Sequence, residues 1–84
     1  MEVILDQAEL EALFRQPQGT EQDGGFQNLL VSLQKKTDRD TGRLDLSPKD
    51  LERVRRYAFD YGNGGWESRL LAIFARSLGP RLGR

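Results

Sequence analysis

The stretch DGGFQNLLVSL, from Asp23 to Leu33, is echoed forty residues later by NGGWESRLLAI, from Asn63 to Ile73. Gly24-Gly25 falls on Gly64-Gly65, Phe26 on Trp66, Gln27 on Glu67, Leu30 on Leu70 and Leu33 on Ile73. Upstream of each stretch a second block repeats at an offset of 41. Val3 meets Leu44, Leu5 meets Leu46, Asp6 meets Ser47, Glu9 meets Asp50, Leu10 meets Leu51, Leu13 meets Val54 and Arg15 meets Arg56. Two blocks in one order at nearly one offset indicate a tandem duplication, with a one-residue length difference in the loop between the blocks. The repeat units are residues 1–42 and 43–84, and together they make one domain.

Each unit reads as β-α-α. Val3-Ile4-Leu5 and Leu44-Asp45-Leu46 alternate as short strands, with Val3, Leu5, Leu44 and Leu46 on one side. Ile4, whose repeat partner is Asp45, faces away from the helices and offers a contact for a homodimer through the outer sheet face. Asp6 and Ser47 are N-cap residues, Glu9 and Asp50 follow three later as in a capping box, and Pro48 sits at the favoured first helical position. The first helix runs to about Arg15 and buries Leu10, Leu13 and Phe14. The third runs to about Tyr61 and buries Leu51, Val54, Ala58 and Tyr61, spaced 3, 4 and 3. The second buries Phe26, Leu29, Leu30 and Leu33, and the fourth Trp66, Leu70, Ile73 and Phe74. Two short strands cannot stand alone. The expected fold is therefore α+β, mainly helical, in βααβαα order. Its strands pair with each other, and a pseudo-twofold axis relates the copies.

Composition narrows the function. The chain has 84 residues, no cysteine and no histidine, which removes thiolate chemistry together with the commonest general base and transition-metal ligand. No apolar run approaches the roughly 18 residues of a membrane span, and the first residues lack a basic segment followed by an apolar one, so a cytoplasmic protein away from membranes is expected. Net charge is zero, yet residues 1–42 hold 8 acidic and 4 basic side chains and residues 43–84 hold 5 and 9. The basic half suits an acidic partner or the acidic half itself.

Four segments invite functional readings. Asp38 to Asp50 resembles a calcium loop in composition. With Asp38 first and Asp40 third, however, Gly42 falls at the fifth position and Lys49 at the twelfth, where Gly and a bidentate Glu belong one place later and at the end. A turn at Asp40-Thr41-Gly42 explains these residues without metal. The Gly64-Gly65 pair with Arg69 fits an anion at a helix N-terminus, although nothing like a complete P-loop follows; a tight turn that lets Phe26 and Trp66 swing inward explains the glycines as well. Lys49, Arg53, Arg56, Arg69 and Arg76 define a basic face that suits nucleic acid. Arg55, Arg56, Tyr57 and Phe59, with Arg81 and Arg84 of the tail, combine arginine and aromatic residues as protein interfaces do.

Carboxylates and tyrosines are present, but no spacing singles out two of them. A helical chain of this size also leaves little room for a pocket of about 300 Å³ or more. The expectation is a non-enzymatic protein-interaction module, an adaptor or inhibitor of a larger assembly, with neither metal nor cofactor. Nucleic-acid binding through the basic face is the alternative.

Overall fold

Alternating side chains and two helix-start signals fix the first turn of each half. In the computed structural model, which describes residues 1–82, the chain runs β1 (Glu2–Ile4), α1 (Gln7–Phe14), α2 (Gly25–Lys36), β2 (Arg43–Asp45), α3 (Pro48–Arg55), a π-helical turn (Arg56–Asp60), α4 (Gly64–Leu78) and a 3-10 turn (Gly79–Leu82). The fold is a small α+β arrangement of four α-helices and one two-stranded antiparallel sheet.

The strands pair Glu2 with Asp45, Val3 with Leu44 and Ile4 with Arg43. Beyond the ladder, Leu5 N donates to Gly42 O at 2.8 Å and Leu46 N to Met1 O at 2.7 Å. Val3, Leu5, Leu44 and Leu46 point into the core, whereas Ile4 is 50% exposed on the outer face. Gly42 makes the entry to β2 possible. Its φ is +79°, and a Cβ there would lie 2.1 Å from Leu5 O. The preceding Asp38 is spent on the turn: its carbonyl accepts from Gly42 N and its Oδ1 from Asp40 N. The acidic segment is thus closed by its own backbone, as the turn reading expects.

Both capping boxes form. Asp6 Oδ1 accepts from Glu9 N, and Glu9 Oε1 from Asp6 N. Ser47 Oγ accepts from Asp50 N, and Asp50 Oδ2 from Ser47 N. The two box carboxylates then reach across the halves. Glu9 is bridged by Arg76 of α4, 2.6 Å from Nη2, and Asp50 by Lys36 of α2. Burial pushes the Asp50 carboxyl up, but the Lys36 ammonium and the Ser47 donors outweigh it and hold it below the ordinary carboxylate range. The core between these pairs is built of Leu13, Phe26, Leu29, Leu30, Leu33, Val54, Ala58, Leu70, Ile73 and Phe74. No helix among the described residues is long and apolar enough to cross a membrane.

The third helix departs from its expected pattern. Leu51 is only half-buried, Val54 and Ala58 are buried, but Tyr61 is 54% exposed. A π-helical turn is wider and advances fewer degrees per residue than an α-helix. Once the chain enters it at Arg56, the 3-4-3 stripe falls out of phase and Tyr61 stops short of the core. Leu10, Phe14 and Trp66, expected in the core, pack against its edge instead.

Candidate interaction surface

The π-helical turn ends at Tyr61, Gly62 turns the chain at φ +64°, and Asn63 starts α4. Asn63 Oδ1 accepts from Gly65 N at 3.0 Å and Trp66 N at 3.1 Å. Those N–H groups, candidates for an anion in the sequence, are therefore already satisfied by the cap. The short turn places the π-helical turn and the start of α4 side by side and gathers four rings from three elements.

Phe26 and Trp66 stack face to face, with centroids 5.1 Å apart and planes 9° from parallel. Tyr57 stacks on Tyr61 at 5.0 Å. Trp66 meets both tyrosines in T-shaped contacts, at 5.4 and 5.6 Å, and Tyr57 also meets Phe26 at 6.2 Å. These offset and edge-to-face contacts are the favoured ones for rings with negative faces and positive edges. The cluster is graded in depth: Phe26 is buried, Tyr57 and Trp66 are half-buried, and Tyr61 is mostly open. Gly25 is what admits Tyr57, because a Cβ at that position would lie 1.8 Å from the phenol oxygen.

Arginines flank the rings. Arg53 donates through Nη2 to Asn28 Oδ1 at 2.9 Å and to Gly25 O at 3.4 Å, beside the Tyr57 contact. Arg69 lies over the Phe26 ring, 5.2 Å from its centre. Burial, and then the like charge of Arg15, lower the Arg69 pKa from its ordinary value. Among the described residues none of Arg15, Arg53 and Arg69 has a carboxylate partner. The surface therefore offers ring faces together with cations that their own fold leaves unneutralised.

The expected contact residues divide. Tyr57 joins the aromatic cluster, whereas Phe59 is half-buried against the core. Arg55 turns to the other end of the chain and donates twice to Arg81 O, at 2.9 and 2.6 Å. Arg56 pairs with Glu52 one helical turn back. Arg84 lies outside the described residues. Of the basic set, Lys49 is exposed on α3, Arg53 is committed to α2 and Arg69 to Phe26. Arg76 is held by Glu9, Asp6 and the Ile4 carbonyl on the far side of the sequence. The structure thus ties most of these cations to intramolecular partners. Sequence reasoning assigned Tyr61 and Trp66 to the core and so missed them as surface residues. Their signal was the position of Tyr61 immediately before a helix-terminating glycine.

Neither a family model, nor a curated protein, nor a solved structure matches this chain.

Proposed function

We propose that the protein is a small interaction module that docks an apolar and acidic segment of a protein partner on the Tyr57–Tyr61–Trp66 surface. The observation that carries this reading is Tyr61, 54% exposed yet held in place by stacking on Tyr57 and by a T-shaped contact with Trp66. A rigid, half-sunk aromatic ring contributes contact area without having to be immobilised on binding, which is why tyrosine and tryptophan dominate binding hot spots. Arg53 and Arg69, held by Asn28 and the Phe26 ring but paired with no carboxylate among the described residues, would supply the charge for a carboxylate on the partner.

The test is capture of a partner from nuclease-treated host lysate, followed by titration of the purified pair by calorimetry. Tyr61→Ala is expected to weaken the pair by roughly 30-fold, the hot-spot range of about 2 kcal/mol. It should lower the melting temperature by only about 4–8 °C, since the ring loses its contacts with Tyr57 and Trp66, a cost of about 1 kcal/mol. Arg56→Ala, away from the cluster, should bind as the wild type does. A bound species that disappears with nuclease, falls steeply with salt and depends on Lys49, Arg53 and Arg56 would replace this reading with the nucleic-acid alternative.

We infer in addition that the chain is a duplicated β-α-α unit with a pseudo-twofold axis. Three features support this. Val3 and Leu44 face each other in the register and are repeat partners, as are the stacked Phe26 and Trp66. The bonds Leu5 N to Gly42 O and Leu46 N to Met1 O exchange under the offset of 41. The pairs Glu9–Arg76 and Asp50–Lys36 exchange under the offsets of 41 and 40. A circular permutant beginning at Arg43 and joined from Arg84 to Met1 should then fold with a similar melting temperature; a permutant that fails to fold counts against the duplication.

A further inference from the structure

Where the chain turns from the π-helical turn into α4 it carries the dipeptide Asn63-Gly64. Asparagine is a thermolabile residue, and before glycine it is most exposed to attack. The next residue's amide nitrogen reaches for the side-chain amide carbon, and glycine puts no side chain in the way. Asn63 and Gly64 are both exposed, and a Cβ built on Gly64 would meet nothing within 4 Å, so solvent base and water reach the pair. The fold opposes the reaction. Asn63 caps α4, its Oδ1 accepting from Gly65 N at 3.0 Å and from Trp66 N at 3.1 Å. Closing a five-membered ring requires the Gly64 nitrogen nearly eclipsed with the Asn63 Cβ about the Cα–C bond. At ψ +104° that nitrogen is turned to the far side. Reaching the attack geometry means turning the Asn63–Gly64 peptide over, which pulls Gly65 N and Trp66 N off the cap. The first turn of α4 must therefore open before the reaction can start.

We propose that Asn63-Gly64 is a site of spontaneous deamidation, gated by the cap of α4. Gly64 N forms a bond to Asn63 Cγ and gives its proton to solvent base. The Cγ–Nδ2 bond breaks, and the nitrogen takes up a proton and leaves as ammonia. Water then adds to one of the two carbonyls of the succinimide and breaks its bond to the ring nitrogen. Opening at Cγ restores the ordinary backbone with aspartate at position 63. Opening at the backbone carbonyl leaves an isoaspartyl linkage, in which the chain runs through the former side chain. Either way one water is consumed and one ammonia released. The products differ in structure. Aspartate caps a helix as well as asparagine does, and its charge is favoured at a helix N-terminus, so Gly65 N and Trp66 N keep their acceptor. The isoaspartyl linkage lengthens the main chain by one carbon and moves the carboxylate onto Cα, so the cap is lost. Trp66 then loses the bond that fixes its backbone, and with it the placement of its ring against Phe26, Tyr57 and Tyr61. This chemistry is independent of what the aromatic surface binds.

The experiment ages the full chain in warm, mildly alkaline buffer, folded and, in parallel, unfolded in urea. Peptide mapping by mass spectrometry follows the replacement of the side-chain amide by a carboxylate. Conversion is expected at Asn63 and not in folded protein at Asn28, the other asparagine, which lies within α2 before the buried Leu29. The folded chain should convert about fivefold more slowly than the unfolded one, the factor that the ordinary worth of a side-chain cap supplies. Gly64→Ala places its methyl group in open space and should keep the fold. It should slow conversion in both states by about tenfold or more, through the higher barrier to attack by a hindered nitrogen. Chromatography separates the two products. Trp66 is the single tryptophan, so its near-ultraviolet circular dichroism band reads the ring directly. The band should match the wild type in Asn63→Asp and be diminished in the isoaspartyl species. A folded chain unchanged at Asn63 once the unfolded chain is fully converted would overturn the site, and equal rates in the two states would overturn the gate. Undiminished conversion of Gly64→Ala would overturn the route, and an unaltered tryptophan band in the isoaspartyl species would overturn its effect on the ring cluster.

Discussion

Replacing Gly25 by alanine tests the packing of the aromatic cluster directly. Gly25 opens α2 in ordinary helical backbone, and at such a site the change normally stabilises by about 0.4–1 kcal/mol through the unfolded chain. Here the sign should reverse. The new Cβ would lie 1.8 Å from the Tyr57 hydroxyl and 2.9 Å from Cζ, so the ring must retreat roughly 1.6 Å to recover the 3.4 Å of ordinary contact. Its retreat is hindered by Tyr61, Trp66 and Phe26, at 5.0, 5.4 and 6.2 Å between ring centres, so the move disturbs at least one ring contact. Forced displacement of this kind costs about 1–3 kcal/mol, and loss of one aromatic pair about 0.5–1.5. After the alanine gain is subtracted, the net loss is about 2 kcal/mol within a span of about 0.5–4, and 2 kcal/mol is roughly 8–16 °C in melting temperature for a domain of this size. Thermal unfolding by circular dichroism reads it. Gly24→Ala is the control: its Cβ would meet only the flexible end of Gln27, so it should change stability by no more than about 0.5 kcal/mol. Tyr57→Phe in the Gly25→Ala background should recover part of the loss, with a coupling of about 0.5–1.5 kcal/mol. A Gly25→Ala protein as stable as the wild type, or one showing no coupling to Tyr57, would refute the reasoning.

Other changes follow from the caps and ion pairs. Ser47→Ala should cost about 1 kcal/mol in urea denaturation, because Asp50 N loses its acceptor. The Asp50 carboxyl is held below its ordinary value in the folded state. Its stabilisation is therefore complete above the unfolded pKa near 4 and is lost as pH falls through the lower folded value. Stability measured from pH 7 to pH 2 should fall over that acidic window, and Asp50→Asn should flatten that part of the decline. Arg56→Ala removes an exposed i,i+4 pair and should cost no more than about 0.5 kcal/mol. Arg76→Ala strands the buried Glu9 carboxylate and frees the Ile4 carbonyl, so its melting temperature should fall further than that of Arg56→Ala.

The strands, the caps and three of the four helices were legible because each rests on local chemistry. Asp6 and Ser47 need only their own following residues to form a cap, and the Val3–Leu5 and Leu44–Leu46 alternation needs only one buried face. Strand limits came out one residue early, since the ladder ends where Leu5 and Leu46 turn to Gly42 and Met1. Tyr61 was misplaced because periodicity assumes one helical pitch, and the pitch changes at Arg56. The arginines were misread for another reason. Whether Arg55 or Arg76 is available depends on partners 26 and 67 residues away, and no pattern along the chain reports those.

On the duplication reading, the aromatic surface falls where the copies have parted. The segment after α1 carries Pro17 and Gly19, which stop the helix and leave a loop. The corresponding segment after α3 carries Tyr57 and Phe59 and stays helical by widening into a π turn. In the first copy the chain leaves the helix as a loop, beside which Val31 and Gln34 of α2 stay buried. In the second it is drawn onto α4, and two tyrosines are brought up to Trp66. Elsewhere the halves are bound to mutual constraint, since a change at the paired strands or the crossed carboxylates disturbs both at once. The stretch between the two helices of each unit carries no such reciprocal contact.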